Sequence, residues 1–118
     1  MRIGLCQLDS QWEDKGASKD RISKLAGTWA GRADCLVFPE MTLTGFSMRP
    51  ENAALSKADH DFFALLAAEQ NCSLVYGGVE DVHNRVFQVE HYIPAKLVYQ
   101  RRHLFRYGGE CDAYKAGD

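Results

Sequence analysis

The residues best placed to do chemistry lie in Cys35-Leu36-Val37-Phe38-Pro39-Glu40, followed closely by Gly45-Phe46. Four apolar residues run on from Asp34 and stop at Pro39. A short apolar run with hard punctuation reads as a strand buried on both faces. Pro39 ends its ladder because proline has no N–H to donate. Glu40 is then a carboxylate held at the carboxyl end of a central strand, where open α/β sheets place their sites. By itself, a Glu after a strand is more often a solvated turn residue. Gly45 permits a tight turn, and Phe46 can pack beneath it.

The other reactive side chains form no familiar constellation. Cys6, Cys35, Cys72 and Cys111 have wide, unrelated spacings, with no Cys-x-x-Cys or Cys/His cluster of the zinc type. Cys6, Cys35 and Cys72 fall inside apolar runs and read as small buried hydrophobes of a reducing compartment. His60, His83 and His91 have no partner pattern. Gly77-Gly78 permits close backbone approach but is not a phosphate loop, since no Gly-Lys-Ser/Thr or Gly-x-Gly-x-x-Gly is present.

The elements that must position Glu40 can be read in order. Residues 2–8 form a first strand, with Ile3, Leu5 and Cys6 as buried candidates, and Trp12 in the following loop is a packing residue. Residues 16–30 form a helix whose apolar stripe is Ile22, Leu25, Ala26 and Trp29. Ser56-Lys57-Ala58-Asp59 has the form of a helix-start box. The helix after it, about 58–70, buries Phe62, Phe63, Leu65, Leu66 and Ala67, and Asn71 ends it. Residues 72–76 are a third strand closed by Gly77-Gly78. Strands 84–93 and 96–100 follow, joined by a turn at Pro94-Ala95. In the fourth strand Val86, Gln88, Glu90 and Tyr92 alternate with Phe87, Val89, His91 and Ile93. The order β-α-β-α-β-β-β implies an α/β fold, a mixed sheet with two helices on one face.

Composition narrows the class. The chain has 118 residues, 46% hydrophobic and 25% charged, with a net charge of -2. It fits one small globular domain over residues 1–118 and shows no basic patch for nucleic acid. No signal peptide and no membrane-length apolar stretch is visible, so a cytoplasmic protein is expected.

Phe38-Pro39-Glu40 followed by Gly45-Phe46 resembles the nitrilase superfamily of carbon–nitrogen hydrolases. A second segment strengthens the resemblance: Tyr99-Gln100-Arg101-Arg102-His103-Leu104-Phe105, then Arg106-Tyr107-Gly108-Gly109-Glu110 and Tyr114-x-Ala116-Gly117. It looks like the catalytic-lysine segment of that family, in its ω-amidase-like subgroup. The resemblance implies the amino-terminal half of an α-β-β-α sandwich. It implies that Glu40 is the general base of a Glu-Lys-Cys site and that Glu110 is a second, orienting glutamate. His103 matches a structural histidine. The reaction implied is hydrolysis of a small amide or nitrile without metal or organic cofactor.

The sequence departs from the family at two points. Arg101 stands at the lysine position, and arginine keeps the charge but does not give up its proton. Lys96, near the expected hairpin turn, reads as a solvated lysine rather than a substitute. The nucleophilic cysteine of the family follows a later strand in a Cys-Tyr-Asp-x-Arg-like segment, which residues 1–118 do not contain. Cys111 lies in a different loop, between two acids that would not favour a thiolate. The chain alone is therefore expected to be inactive, a truncated hydrolase. The alternative is a non-catalytic binding or assembly module of the same descent. A half sandwich would expose an apolar sheet face, so self-association or a complementing chain is expected.

Overall fold

A computed structural model describes residues 1–90, 93–106 and 108–118. A five-stranded sheet runs in the order β1 (Ile3–Leu5), β2 (Cys35–Val37), β3 (Ser73–Glu80), β4 (His83–Glu90) and β5 (Ile93–Gln100). The first three strands are parallel and the last two antiparallel, so the sheet is mixed. Two fourteen-residue helices, α1 (Lys15–Thr28) and α2 (Lys57–Gln70), supply the parallel crossovers. Asp14 caps α1 by accepting from Ala17 N–H. The expected box at Ser56 forms in full, with Ser56 and Asp59 each receiving the other's backbone N–H. Asn71, at φ +50°, ends α2.

Both helices pack on one face of the sheet. Ile22 and Ala26 of α1 and Phe63, Leu66 and Ala67 of α2 meet Leu36, Leu74, Tyr76, Phe87 and Val89. Tyr76 is stacked between the rings of Phe63 and Phe87. Among the described residues the opposite face is covered only at one end, where Met41, Ala53 and Tyr114 pack on Val79. Cys35, Val37, Val75 and Val86 are only half buried there, and Tyr99 is exposed.

That bare face explains several differences from expectation. β2 is buried on one face rather than two. Ile3 and Leu5 are exposed, and of the apolar positions in that stretch Cys6 is the buried one. Trp29 and Leu65 are also exposed: Trp29 lies beyond the last turn of α1 as its C-cap, and Leu65 points away from the buried row of Phe63, Leu66 and Ala67. Trp12 sets one ring edge against Gly45 but leaves most of its surface open. β3 does not close at Gly77-Gly78. It continues through both glycines, because a Cβ at Gly78 would lie 2.2 Å from Leu55 Cδ1 and one at Gly77 would strike the chain at Met41. Pro94-Ala95 lies within β5 rather than forming the turn. The expectations for His91 and Tyr92, and for Tyr107, fall outside the described residues. Two one-turn helices were not anticipated, α3 (Pro50–Ala53) and α4 (Glu110–Ala113).

Asp59 does more than cap. It is buried and receives Lys15 at 2.5 Å and Lys19 at 2.9 Å, which tie α1 to α2. Burial pushes its carboxyl up, but the hydrogen bonds from Lys15, the Ser56 N–H and Lys19 outweigh it and hold the group at about 2, against 3.8 ordinarily. A group depressed in the folded state stabilises above its unfolded value and loses that contribution as pH falls through the folded one. Folding stability is therefore expected to drop by roughly 2 kcal/mol on acidification from pH 5 to 2 through this group alone. Denaturant melts across that range should show a shallower acid loss in Asp59→Asn. An equal loss in both proteins would remove Asp59 from the account.

Candidate active site

β2 ends at Val37, and the Phe38 N–H still bonds Val75 O at 2.8 Å. Pro39 then breaks the ladder, as its missing N–H requires. The turn that follows is anchored through Thr42. Its hydroxyl donates to Pro39 O and accepts the Gly77 N–H, while the Thr42 N–H donates to Gly77 O. Met41 sits at φ +47° and Gly45 at φ +74°. The result is a tight, buried loop that holds Glu40 over the edge of β3 with its side chain about two-fifths exposed.

Arg101 reaches this carboxylate from the residue after β5. Its N–H donates to Asn84 O, which fixes the backbone beside β4. Nη1 lies 3.2 and 3.1 Å from the two oxygens of Glu40. On its other side, Nε lies 2.8 Å from Glu110 Oε1, and Nη2 lies 3.5 Å from Oε2. The Nε–H itself is aimed at His103 O, so the close approach to Oε1 is an ion pair rather than a directed hydrogen bond. The guanidinium also lies over the rings of Phe46 and Phe105, at 5.6 and 5.2 Å.

Glu110 opens α4 and is 1% exposed. Its Oε2 accepts the Phe105 N–H at 3.0 Å. Tyr114 locks the helix in place. Its N–H donates to Glu110 O, its hydroxyl donates to Ser47 O, and its ring meets Phe46 edge-on. Burial raises the Tyr114 hydroxyl to about 12. The structure thus brings Glu40, Arg101 and Glu110 into one line of charge, carboxylate to guanidinium to carboxylate. A cavity of about 260 Å³ opens beside it, lined in part by Phe38, Val86, Tyr99 and Asn84.

Other candidates lie elsewhere. Lys96 is exposed within β5. No cysteine lines the cavity. Burial raises the Cys6, Cys35 and Cys72 thiols, which suits inert structural residues. Cys111 is exposed and its thiol donates to Phe105 O. His60, without a partner pattern in the sequence, bridges Tyr76 OH and Glu80 on the helix side. Sequence reasoning missed Thr42, Asn84 and Glu13. Glu13 clamps the far side of the Glu40 loop by accepting from Ser47, Arg49 and Asn52. Only its unusual φ of +51° marks it out, and that is invisible in sequence. Among the described residues no group of three or more His, Cys, Asp or Glu could hold a metal ion, and no helix is long and apolar enough to cross a membrane.

A parallel three-strand core extended by an antiparallel pair, with helices on one face and charged groups gathered at the end of β2, defines a mixed α/β fold. In fold and sequence the chain matches the amino-terminal half of carbon–nitrogen hydrolases of the nitrilase superfamily. No family model matches the chain. It is 32% identical over 124 residues to the omega-amidase YafV of Escherichia coli K12, a match that takes in all of this chain and 47% of the relative. A CN-hydrolase superfamily protein of Xanthomonas campestris superposes with a TM-score of 0.85 at 25% identity, over all of this chain and 46% of that one. An amidase of the nitrilase superfamily from Nesterenkonia AN1 shares the fold, with a TM-score of 0.80 and 22% identity over all of this chain and 48% of that one. The chain therefore spans about half the length of the relatives it matches.

Proposed function

We propose that the chain carries the base-and-cation half of an amide-hydrolysing site, with Glu40 as general base, Arg101 as the cation and Glu110 as the group that orients it. The observation that carries this reading is the continuous Glu40–Arg101–Glu110 ion-pair line beside a small cavity. The substrate class is a small amide or nitrile, as its relatives' names suggest for amides. The nucleophile comes from a complementing segment, since no cysteine of residues 1–118 lines the cavity.

In that site Glu40 takes the thiol proton as sulfur bonds to the carbonyl carbon. Arg101 stabilises the oxyanion. Collapse breaks the C–N bond, and Glu40 returns the proton to the departing amine. Glu40 next removes a proton from water as it attacks the thioester, and the thiol is regenerated with release of the acid. The complementing segment would also cover the bare sheet face, burying Ile3, Leu5, Val37 and Val75. Without it, the same face would drive association between copies of the chain.

The test is co-expression with the cysteine-bearing half of an omega-amidase relative and measurement of ammonia release from a short amide. Turnover is expected only from the pair, and Glu40→Gln should lower it by about 100- to 10,000-fold. One observation favours a second reading, a non-catalytic assembly module. Nη1 of Arg101 engages both oxygens of Glu40, and arginine offers no proton to release. Complexes that form stably yet stay inactive with both Arg101 and Arg101→Lys would establish that reading instead.

A further inference from the structure

We infer that Asn84 is the residue that receives the carbonyl oxygen of an uncharged carboxamide in the cavity beside Glu40. Asn84 is 5% exposed, and among the described residues its Nδ2 has no hydrogen-bond partner. Buried polar groups are almost always paired, and an orphan donor carries a desolvation penalty. Among the described residues the fold makes no use of this donor. The β3–β4 register pairs Asn84 with Val79, and its backbone carbonyl already holds the Arg101 N–H. Alternation along β4 turns it to the same side as Val86, away from the helices, so the unpaired amide belongs to the cavity lining.

The charges around it select the ligand. Glu40 and Glu110 face a single Arg101, leaving one negative charge in excess. A carboxylate ligand would meet that excess, whereas a neutral carboxamide would not. Its oxygen accepts from Asn84 Nδ2 and stays within reach of Arg101, which takes up the charge the oxygen later develops; its NH₂ donates to Glu40, and its alkyl part rests on Val86 and Tyr99. A volume of about 260 Å³ suits a ligand of few heavy atoms. The same arrangement would expel the carboxylate product of hydrolysis.

The assignment rests on the reading of Glu40 and Arg101 as a reaction centre, and the experiment separates the two. The probe is propionamide, titrated into the ¹⁵N-labelled 118-residue chain, with propionate in parallel. Propionamide should shift the Asn84 side-chain amide pair together with the signals of Glu40 and Arg101, and propionate should not. Asn84→Leu, similar in volume, should bind propionamide at least about tenfold more weakly. It should also melt at the same temperature or higher, because the orphan donor is gone. Asn84→Asp keeps the shape without the donor and should lose binding likewise. Shifts at Glu40 and Arg101 that persist at full affinity in both variants would overturn the role of Asn84 alone. So would a marked fall in melting temperature in Asn84→Leu, which a structural asparagine requires. No shift at any of the three residues in the unaltered chain would overturn the reaction-centre reading as well.

Discussion

Arg101→Ala is expected to destabilise the chain by about 3–5 kcal/mol, the usual consequence of stripping one partner from a buried ion pair. Glu110 is 1% exposed and keeps only the Phe105 N–H once the guanidinium is removed. Urea denaturation at neutral pH should show the midpoint falling by roughly 2 M. The double variant Arg101→Ala/Glu110→Gln should recover a large part of the loss, since it removes the stranded charge. Arg101→Lys should sit between them, because a single ammonium cannot face Glu40 and Glu110 at once as the planar fork does. A loss below about 1 kcal/mol for Arg101→Ala would mean that Glu110 is hydrated, as an exposed pair would be.

Gly77→Ala should damage both stability and site geometry. The added Cβ would lie 2.7 Å from Met41 N and 3.0 Å from Glu40 Cα. These are backbone atoms, so no side-chain rotation relieves the overlap. The Glu40 loop must lift, and its paired hydrogen bonds between Thr42 and Gly77 must lengthen. Overpacking and the weakened bonds together predict a loss of about 2–4 kcal/mol. Under the proposed role of Glu40 as general base, a shift of its carboxylate by about 1 Å predicts a fall of roughly 100-fold in any turnover by the complemented pair. Gly27→Ala is the control. It lies in α1 with open space around its Cα, and it should be neutral or stabilising by about 0.5–1 kcal/mol. Equal melting temperatures for the two variants would refute the close-approach role of Gly77.

Local chemistry explains which parts of the fold could be read without coordinates. The strand before Glu40 stops where Pro39 withdraws a donor, and α2 begins where Ser56 and Asp59 cap each other. Both effects act within four residues. The Phe-Pro-Glu and Tyr99–Glu110 segments likewise carried the family resemblance, and the fold agrees with it. Burial was read less well. Ile3, Leu5, Trp29 and Leu65 are apolar by type yet exposed, since residue type does not say whether a partner layer stands opposite. Gly77-Gly78 read as a strand end because two glycines usually punctuate. Here they admit Leu55 and the Glu40 loop into the middle of a strand.

The amino-acid order alone determined the alternation of strands and helices, the stop at Pro39 and the identities of Glu40, Arg101 and Glu110. Their meeting was decided by tertiary structure, for Arg101 must cross sixty-one positions to reach Glu40. The Asp59–Lys15–Lys19 tie, the brace of Tyr114 on Ser47 and the unpaired amide of Asn84 belong to the same category. Caps and breaks depend on dihedral angles and hydrogen bonds among near neighbours, whereas a buried charge finds its partner only after distant strands have aligned.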